Sequence, residues 1–411
     1  MKKRAKAQAP APMLPYGQPK IEDDDIAAVE AVLRSGWLTT GPLVAQFEEK
    51  LAESVGAPHA VVCANGTAAL HLAAIALDIG PGSTVIVPAV TFVATANAAR
   101  YQGARVMFAD VDPQTGLMTP ATLEATLARA GRTHAVFPVH LNGQSCAMPA
   151  LHELSERHDF ALLEDACHAL GTVYDGPARK GYRVGACTHS DMAVFSFHAV
   201  KTVAMGEGGA ITTRSATAAR RMRLLRAHGI EREPGAFRNM AQGFSADRAP
   251  NPWYYEQQEL GFNYRASDIQ CALGLSQLKK LGRFAQDRAA LVTAYDKALA
   301  PLAPALKPIP RDPACHPSWH LYVVQIAFEE LGVERGAVMR MLAERGVGTQ
   351  VHYLPVPFQP YYESLRDALP RSCYPGAAAY YARCLSLPLF VGMSEADVAR
   401  VAGALAEVLG L

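Results

Sequence analysis

Lys201 stands in "FSFHAVKTVAMGEGG", between an apolar run that reaches Ser196 and a turn through Gly206, Gly208 and Gly209. A lysine just past a buried strand is partly desolvated. That lowers its pKa and frees the amine to attack a carbonyl. The same position also suits an exposed loop lysine. Asp165 follows "ALLE" at the end of another apolar run. A carboxylate there can hold a protonated ring nitrogen, or cap the next helix or turn. In "CANGTAALHLAAIAL", Gly66 and Thr67 open an apolar helix whose free N–H groups and dipole favour a phosphate. Ordinary N-capping would use the same residues. Phe92, in "VTFVATANA", opens the next helix and either stacks on a flat ring or packs into the core. His168 lies three residues after Asp165, as a donor to a phenolate oxygen or as a histidine satisfied within the fold.

A phosphate cradle, an aromatic ring, a strand-end aspartate and a strand-end lysine thus follow one another in chain order. A pyridoxal phosphate (PLP) site needs those four components.

The elements that must position them alternate. "TVIVP", "RVMFADVD", "THAVFPVH", "FALLEDA" and "DMAVFSF" read as strands, and "TANAARYQG", "TPATLEATLARAG" and "MPALHELSERHD" as helices, the second capped by Thr119. Strands this apolar imply an α/β fold with a mostly parallel sheet covered on both faces. His140, Asp165 and His198 each follow such a strand, where open α/β sheets bind ligands, so a shared crevice is expected. Upstream, "DDDIAAVEAVLRSG" puts Ile26, Val29 and Leu33 on one helical face, and "VAQFEEKLAESVG" does the same with Val44, Phe47, Leu51 and Val55. Residues 239–252, polar with Gly and Pro, read as a long loop or insertion. "SDIQCALGLSQLKKLGRFAQDRAALVTAYDKAL" reads as one long bridging helix. Beyond it, "HLYVVQIAF" and "VGTQVHYLP" read as strands, and "GAVMRMLAERG" and "SEADVARVAGALAEVL" as helices. They make a smaller C-terminal α+β domain. The expected division is a disordered basic tail over 1–13, a large domain over 14–265, and the bridging helix with the small domain over 266–411.

Half of the 411 residues are hydrophobic, enough for a large core. Lys and Arg number 39 against 38 Asp and Glu, a net charge of +1 that gives no reason to expect nucleic acid or a membrane surface as partner. The eight cysteines form no C-x-x-C pair, which excludes the usual zinc frameworks and fits scattered reduced thiols in the cytoplasm. "MKKRAKAQAPAPMLP" lacks the apolar stretch of a signal peptide, and no run suits a membrane helix.

Read together, "NGTAALHLA", "TFVATANA", "PVHLNGQ", "EDACHALG", "FSFHAVK…GEGG" and "GFNYRASDIQCALGLSQL" resemble the motif set of the DegT/StrS nucleotide-sugar aminotransferases. The resemblance runs from about Tyr16 to the C-terminus. It implies the type I PLP-dependent aminotransferase fold and a homodimer with shared active sites. By that resemblance Lys201 is the lysine that bonds the cofactor, Asp165 the partner of its ring nitrogen and Phe92 the stacking ring. His168, where the family often has Gln, contacts the ring hydroxyl. Gly66, Thr67 and Ser196 bind the phosphate, and Asn263 reaches it from the other subunit. "LPYGQP", "LRSGWLTTGP", "PWYYEQQELGFNYR", "SWHLYVV" and "VHYLPVPFQPYY" resemble the branch that makes UDP-4-amino-4,6-dideoxy-N-acetyl-β-L-altrosamine for pseudaminic acid. That likeness implies a UDP-sugar and L-glutamate/2-oxoglutarate as substrates. It makes Tyr16, Trp37, Leu38, Thr39, Asn65, Gln350, Val351, His352 and Tyr353 candidates for holding the UDP-sugar; packing alone would also explain each. Ala204-Met205 depart from the family pattern, which usually has threonine there, so a hydroxyl near the cofactor is expected to be missing.

Overall fold

The computed structural model describes residues 12–365 and 367–411, so the expected tail lies, as far as Ala11, outside the described residues. Helix α1 (Asp23–Ser35) and α2 (Pro42–Val55) come first, each closed by a left-handed glycine, Gly36 and Gly56. The apolar face of α2 is buried at Phe47, Leu51 and Val55. That of α1 is not: Ile26 and Leu33 are exposed, while Asp25 and Val32 are buried. Within one chain α1 docks through polar groups. Lys280 reaches Asp24 (2.6 Å) and Asp25 (2.8 Å), and Gln277 donates to Asp25 (2.7 Å).

The strand–helix alternation follows as β1 (His59–Cys63), α3 (Gly66–Ala76), β2 (Thr84–Pro88), α4 (Val93–Tyr101), β3 (Arg105–Ala109), α5 (Pro120–Ala130), β4 (Ala135–Val136), α6 (Met148–His158) and β5 (Ala161–Asp165). Thr119 caps α5, accepting from the Thr122 N–H. After the two-residue strands β6 (Val173–Tyr174) and β7 (Tyr182–Arg183) come β8 (Met192–Ser196) and β9 (Gly209–Thr213). One seven-stranded sheet takes the order β1-β9-β8-β5-β4-β2-β3. β9 runs antiparallel to β1 and β8, and the other pairs are parallel. Buried apolar residues cover both faces of this sheet.

Helix α7 (Ala216–Leu225) leads to an excursion in which β10 (Ile230–Glu231) pairs with β11 (Glu256–Gln257). The loop expected over 239–252 holds α8 (Met240–Gly243) and a Phe244–Pro250 bridge. The expected long helix is two, α9 (Asp268–Leu278) and α10 (Leu281–Leu299). The break falls at Lys280, whose N–H turns back to the Gln277 carbonyl in a tight i→i−3 bond. α9 packs on the large sheet's helices and α10 on the second core.

That core is built on β12 (Leu306–Pro308), with β13 (Cys315–His316) leaving to join β6 and β7, then β14 (Tyr322–Ile326) and α11 (Arg335–Glu344); α12 (Pro360–Glu363) and α13 (Pro375–Arg383) pack back on the large sheet's core, and β15 (Cys384–Leu387) and α14 (Glu395–Leu409) complete the second one. The three strands β12-β14-β15 are antiparallel. "VGTQVHYLP" is not a strand. Its backbone pairs only at isolated points, Val347 with Leu14 and Gln350 with Ser386, which leaves it free to bend along a cavity wall. Among the described residues no helix is long and apolar enough to cross a membrane.

Candidate active site

Strands β5 and β8 are parallel neighbours that end at Asp165 and Ser196, so both side chains reach the same edge of the sheet. The starts of α3 and α4 lie at that edge too. Together they enclose a cavity of about 640 Å3. Gly66, Thr67, Phe92, Asp165, His168, Ser196 and Lys201 all line it. Asn263 does not; it is exposed on the loop after β11.

The α3 N-terminus is a cradle. Asn65 caps it, its Oδ1 accepting from the Ala68 N–H at 2.8 Å. The N–H groups of Gly66 and Thr67 come before the first intrahelical bond and are free for an anion. Two glycines let this corner close. A Cβ on Gly66 would lie 3.0 Å from the Ser196 Cβ, and one on Gly209 only 2.2 Å from the Asn65 carbonyl oxygen.

Asp165 is held in place by the protein itself. Thr95 Oγ1 donates to Oδ2 at 2.6 Å, and the Cys167 N–H donates to Oδ1 at 3.2 Å. The Thr91 hydroxyl is bonded to that of Thr95 at 2.8 Å. Lys201 sits in a tight turn, its N–H bonded to the His198 carbonyl at 2.8 Å. Burial pushes its ammonium pKa down, against the opposing pull of Cys167 and Asp165. His168 accepts from the Asn142 N–H on Nδ1 (3.4 Å) and meets the Tyr353 hydroxyl through Nε2 (3.3 Å). Burial pushes its pKa well down, and Lys201 and His352 add to that, so it is neutral. Phe92 is 56% exposed on the cavity wall, which leaves its ring open to a ligand.

The expected crevice of three strand-end residues holds for Asp165 and His198 but not for His140. Successive side chains on a strand point to opposite faces. Asp165 faces the cavity, so Glu164 faces away, and buried His140 is bonded to Glu164 through Nε2 at 2.8 Å. Ala204 and Met205 are likewise outside the cavity. Both are buried, and Met205 packs with Phe47 and Phe197 beside α9. The departure there changes core packing, and the expected loss of a hydroxyl beside the cofactor is set aside.

Of the candidates for a UDP-sugar, Tyr16, Asn65, Gln350, Val351, His352 and Tyr353 line the cavity. Trp37, Leu38 and Thr39 lie outside it, in the corner between α1 and α2. The Leu38 carbonyl accepts from Asp268, Thr39 pairs with Ser267, and Trp37 lines a separate apolar groove against α9. The sequence reading missed Thr95 and Cys167, the two donors to Asp165, and Glu207 on the wall. The i, i+4 spacing of Thr91 and Thr95 at a helix start is a signal that points both hydroxyls one way. His320, whose ring lies 4.4 Å from that of His168, comes from a distant loop and left no local signal.

An anion cradle, an exposed ring, a fixed carboxylate and a lysine with a depressed pKa around one cavity fit PLP. The same architecture is found in solved sugar aminotransferases. The PLP form of Spr1654 from Streptococcus pneumoniae, a putative sugar aminotransferase, superposes with a TM-score of 0.83 at 28% identity, covering 97% of this chain and 99% of that one. Helicobacter pylori PseC, an aminotransferase of pseudaminic acid biosynthesis, gives 0.84 at 28% identity, over 97% and 99%. The spore coat polysaccharide biosynthesis protein SpsC of Bacillus subtilis is 39% identical over 397 residues, 96% of this chain and 97% of that protein. The family model of the DegT/DnrJ/EryC1/StrS aminotransferases matches residues 19–406, and this chain belongs to that family.

Proposed function

We propose that this PLP-dependent sugar aminotransferase moves the amino group of L-glutamate to C4 of a UDP-2-acetamido-2,6-dideoxy-4-keto-hexose. The product would be UDP-4-amino-4,6-dideoxy-N-acetyl-β-L-altrosamine, for pseudaminic acid. The observation that carries the reaction class is Lys201 and Asp165 on one cavity beside a phosphate cradle. The substrate rests on the branch motifs and on the likeness to PseC. Retention of Lys201 speaks against the PLP-dependent sugar dehydratases of this fold, in which histidine replaces it.

Gly66, Thr67 and Ser196 would hold the cofactor phosphate, Phe92 would stack on the ring, and His168 would donate to its hydroxyl oxygen. Asp165 would keep the ring nitrogen protonated, and PLP so charged supplies an electron sink for a substrate carbanion. Lys201 would hold the cofactor through Nζ, and Nζ once free would move a proton at the reacting carbon, as base and then acid. Burial that lowers the Lys201 pKa supports both tasks. Glutamate would be the first substrate and the keto sugar the second, with 2-oxoglutarate released between them.

The working form is a homodimer in the cytoplasm. Ile26, Leu33, Trp37 and Leu38 near α1, and Trp253, Tyr255 and Leu260 on the excursion, are exposed in one chain. An apolar surface of that extent is what a partner covers. Asn263 would complete the phosphate site of the other subunit. Eight unpaired cysteines fit a reducing compartment.

The test incubates the PLP form with glutamate, then with a panel of UDP- and dTDP-4-keto sugars, while the cofactor absorbance is followed. Recovery of the starting spectrum with the UDP-2-acetamido sugar is expected. A response to dTDP-sugars alone would overturn the substrate assignment. Lys201→Ala must also abolish fixation of the cofactor to the protein by borohydride.

A further inference from the structure

Asn142 is a residue the chemistry above leaves unused. It sits in the short turn Leu141–Gly143, fully buried, with φ 64°. Among the described residues its side-chain oxygen and nitrogen make no well-formed hydrogen bond, the Tyr380 hydroxyl beside them being unpartnered too, and neither does Nδ1 of its neighbour His320. Its backbone is what the fold employs. The carbonyl accepts from the N–H groups of His320 (3.1 Å) and Leu321 (3.4 Å), and the N–H donates to His168 Nδ1 (3.4 Å).

A ring nitrogen that accepts a hydrogen bond carries no proton, and the bond made by one nitrogen decides which tautomer the ring adopts. His168 therefore carries its proton on Nε2, the nitrogen that meets Tyr353, a residue of the cavity wall. A second proton is opposed by burial and by the charge of Lys201, with His352 and His320 packed nearby.

We propose that the Asn142 N–H fixes His168 as an Nε2–H donor, which makes Asn142 a positioning residue for the hydrogen bond from His168 to the cofactor's ring hydroxyl oxygen. The proposal rests on the assignment of His168 to that oxygen. It also explains the residue type. A positive φ is strained for most side chains and is tolerated by Asn and Gly. The left-handed backbone is what aims the N–H, and the asparagine side chain need bond nothing.

Imidazole 15N shifts of histidine-labelled protein read the tautomer directly, with His168→Gln assigning the signals. In the apo protein His168 is expected as one tautomer, bare at Nδ1 and protonated at Nε2. Asn142→Gly keeps the left-handed turn and must keep that pattern. Asn142→Val strains the turn and must populate both tautomers; Asn142→Ala, a milder strain that protects against misfolding of the valine variant, must move the same way. A proton on Nδ1 in the wild type, loss of the pure tautomer in Asn142→Gly, or its retention in the folded Ala and Val variants would overturn the proposal. A second spectrum, of the PLP form, separates the underlying assignment. If the apo tautomer is as expected but the Nε2 signal ignores PLP, the role of His168 fails while that of Asn142 stands.

Discussion

Gly209 is where the phosphate cradle meets the strand that follows the lysine turn, and Gly209→Ala tests whether that contact sets cofactor affinity. A Cβ there would lie 2.2 Å from the Asn65 carbonyl oxygen, 2.3 Å from its carbon and 2.7 Å from the Gly66 nitrogen. Close C···O contacts in proteins begin at about 3.3 Å, so the two backbones must part by about 1 Å. β9 cannot yield, since Gly209 is paired with Cys63 on one side and Ser196 on the other. The displacement goes into the Asn65–Gly66 corner. Overpacking of this kind costs about 1–3 kcal/mol of stability. A 1 Å misplacement can cost a factor on the order of 100, about 2.7 kcal/mol, so PLP affinity is expected to fall by an amount comparable to the loss of stability. The assay titrates apo protein with PLP and follows thermal unfolding beside it. Gly206→Ala is the control. That residue has φ +77° with nothing within 4 Å of a new Cβ, so it carries left-handed strain of roughly 1–2 kcal/mol and no clash. Wild-type PLP affinity in Gly209→Ala, or a greater loss of affinity in Gly206→Ala, would refute the reasoning.

Thr95→Val removes the hydroxyl donor to Asp165 and should weaken PLP binding about tenfold, while Thr95→Ser restores it, by the same titration. Asp268 accepts from the N–H groups of Gly41 (2.7 Å) and Leu43 (3.0 Å), so Asp268→Ala should cost about 1–3 kcal/mol in urea unfolding by orphaning both. Burial, then Lys201, pushes His352 down to about 3, whereas an unfolded histidine titrates near 6.5. The unfolded chain thus binds the extra proton between those values, and apo stability falls as pH drops through that window, by up to about 1.4 kcal/mol per unit. Unfolding midpoints measured across that range should flatten by this slope in His352→Gln.

The residues that gather on the cavity from Gly66 to Ser196 were legible because each signal is local. Gly66-Thr67, Phe92, Asp165 and Ser196 sit at element boundaries, where the switch from apolar run to polar residue is written in a few consecutive positions. His140 shows the limit of that signal. It follows an apolar run like Asp165, four residues past the end of β4, but which face it meets depends on a partner 24 residues away, Glu164. The break at Lys280 was hidden for a similar reason. Both halves of "SDIQCALGLSQLKKLGRFAQDRAALVTAYDKAL" have helical periodicity, and only packing on two different cores separates them. "VGTQVHYLP" has strand composition, yet its neighbours offer it isolated backbone pairings rather than a ladder.

What one chain leaves incomplete forms a pattern. The cavity is lined by Lys201 against Asp165 and Glu207 and by three histidines, of which His168 and His352 are held neutral by burial. A phosphate cofactor, a dicarboxylate and a nucleotide diphosphate all bring negative charge to it. The α3 N-terminus offers roughly half a positive charge, too little for such ligands. Donors from outside the cavity walls would add to those of Thr67, Ser196 and Gln350. The residues that the motifs singled out but this chain keeps away from its own cavity, Trp37, Leu38, Thr39 and Asn263, are exposed, in the regions that also expose Ile26, Leu33, Trp253, Tyr255 and Leu260. A second copy covering that surface would bury the apolar groups and bring the missing donors to its neighbour's site in one step. On the proposed dimer these residues would serve the partner's half of a shared site.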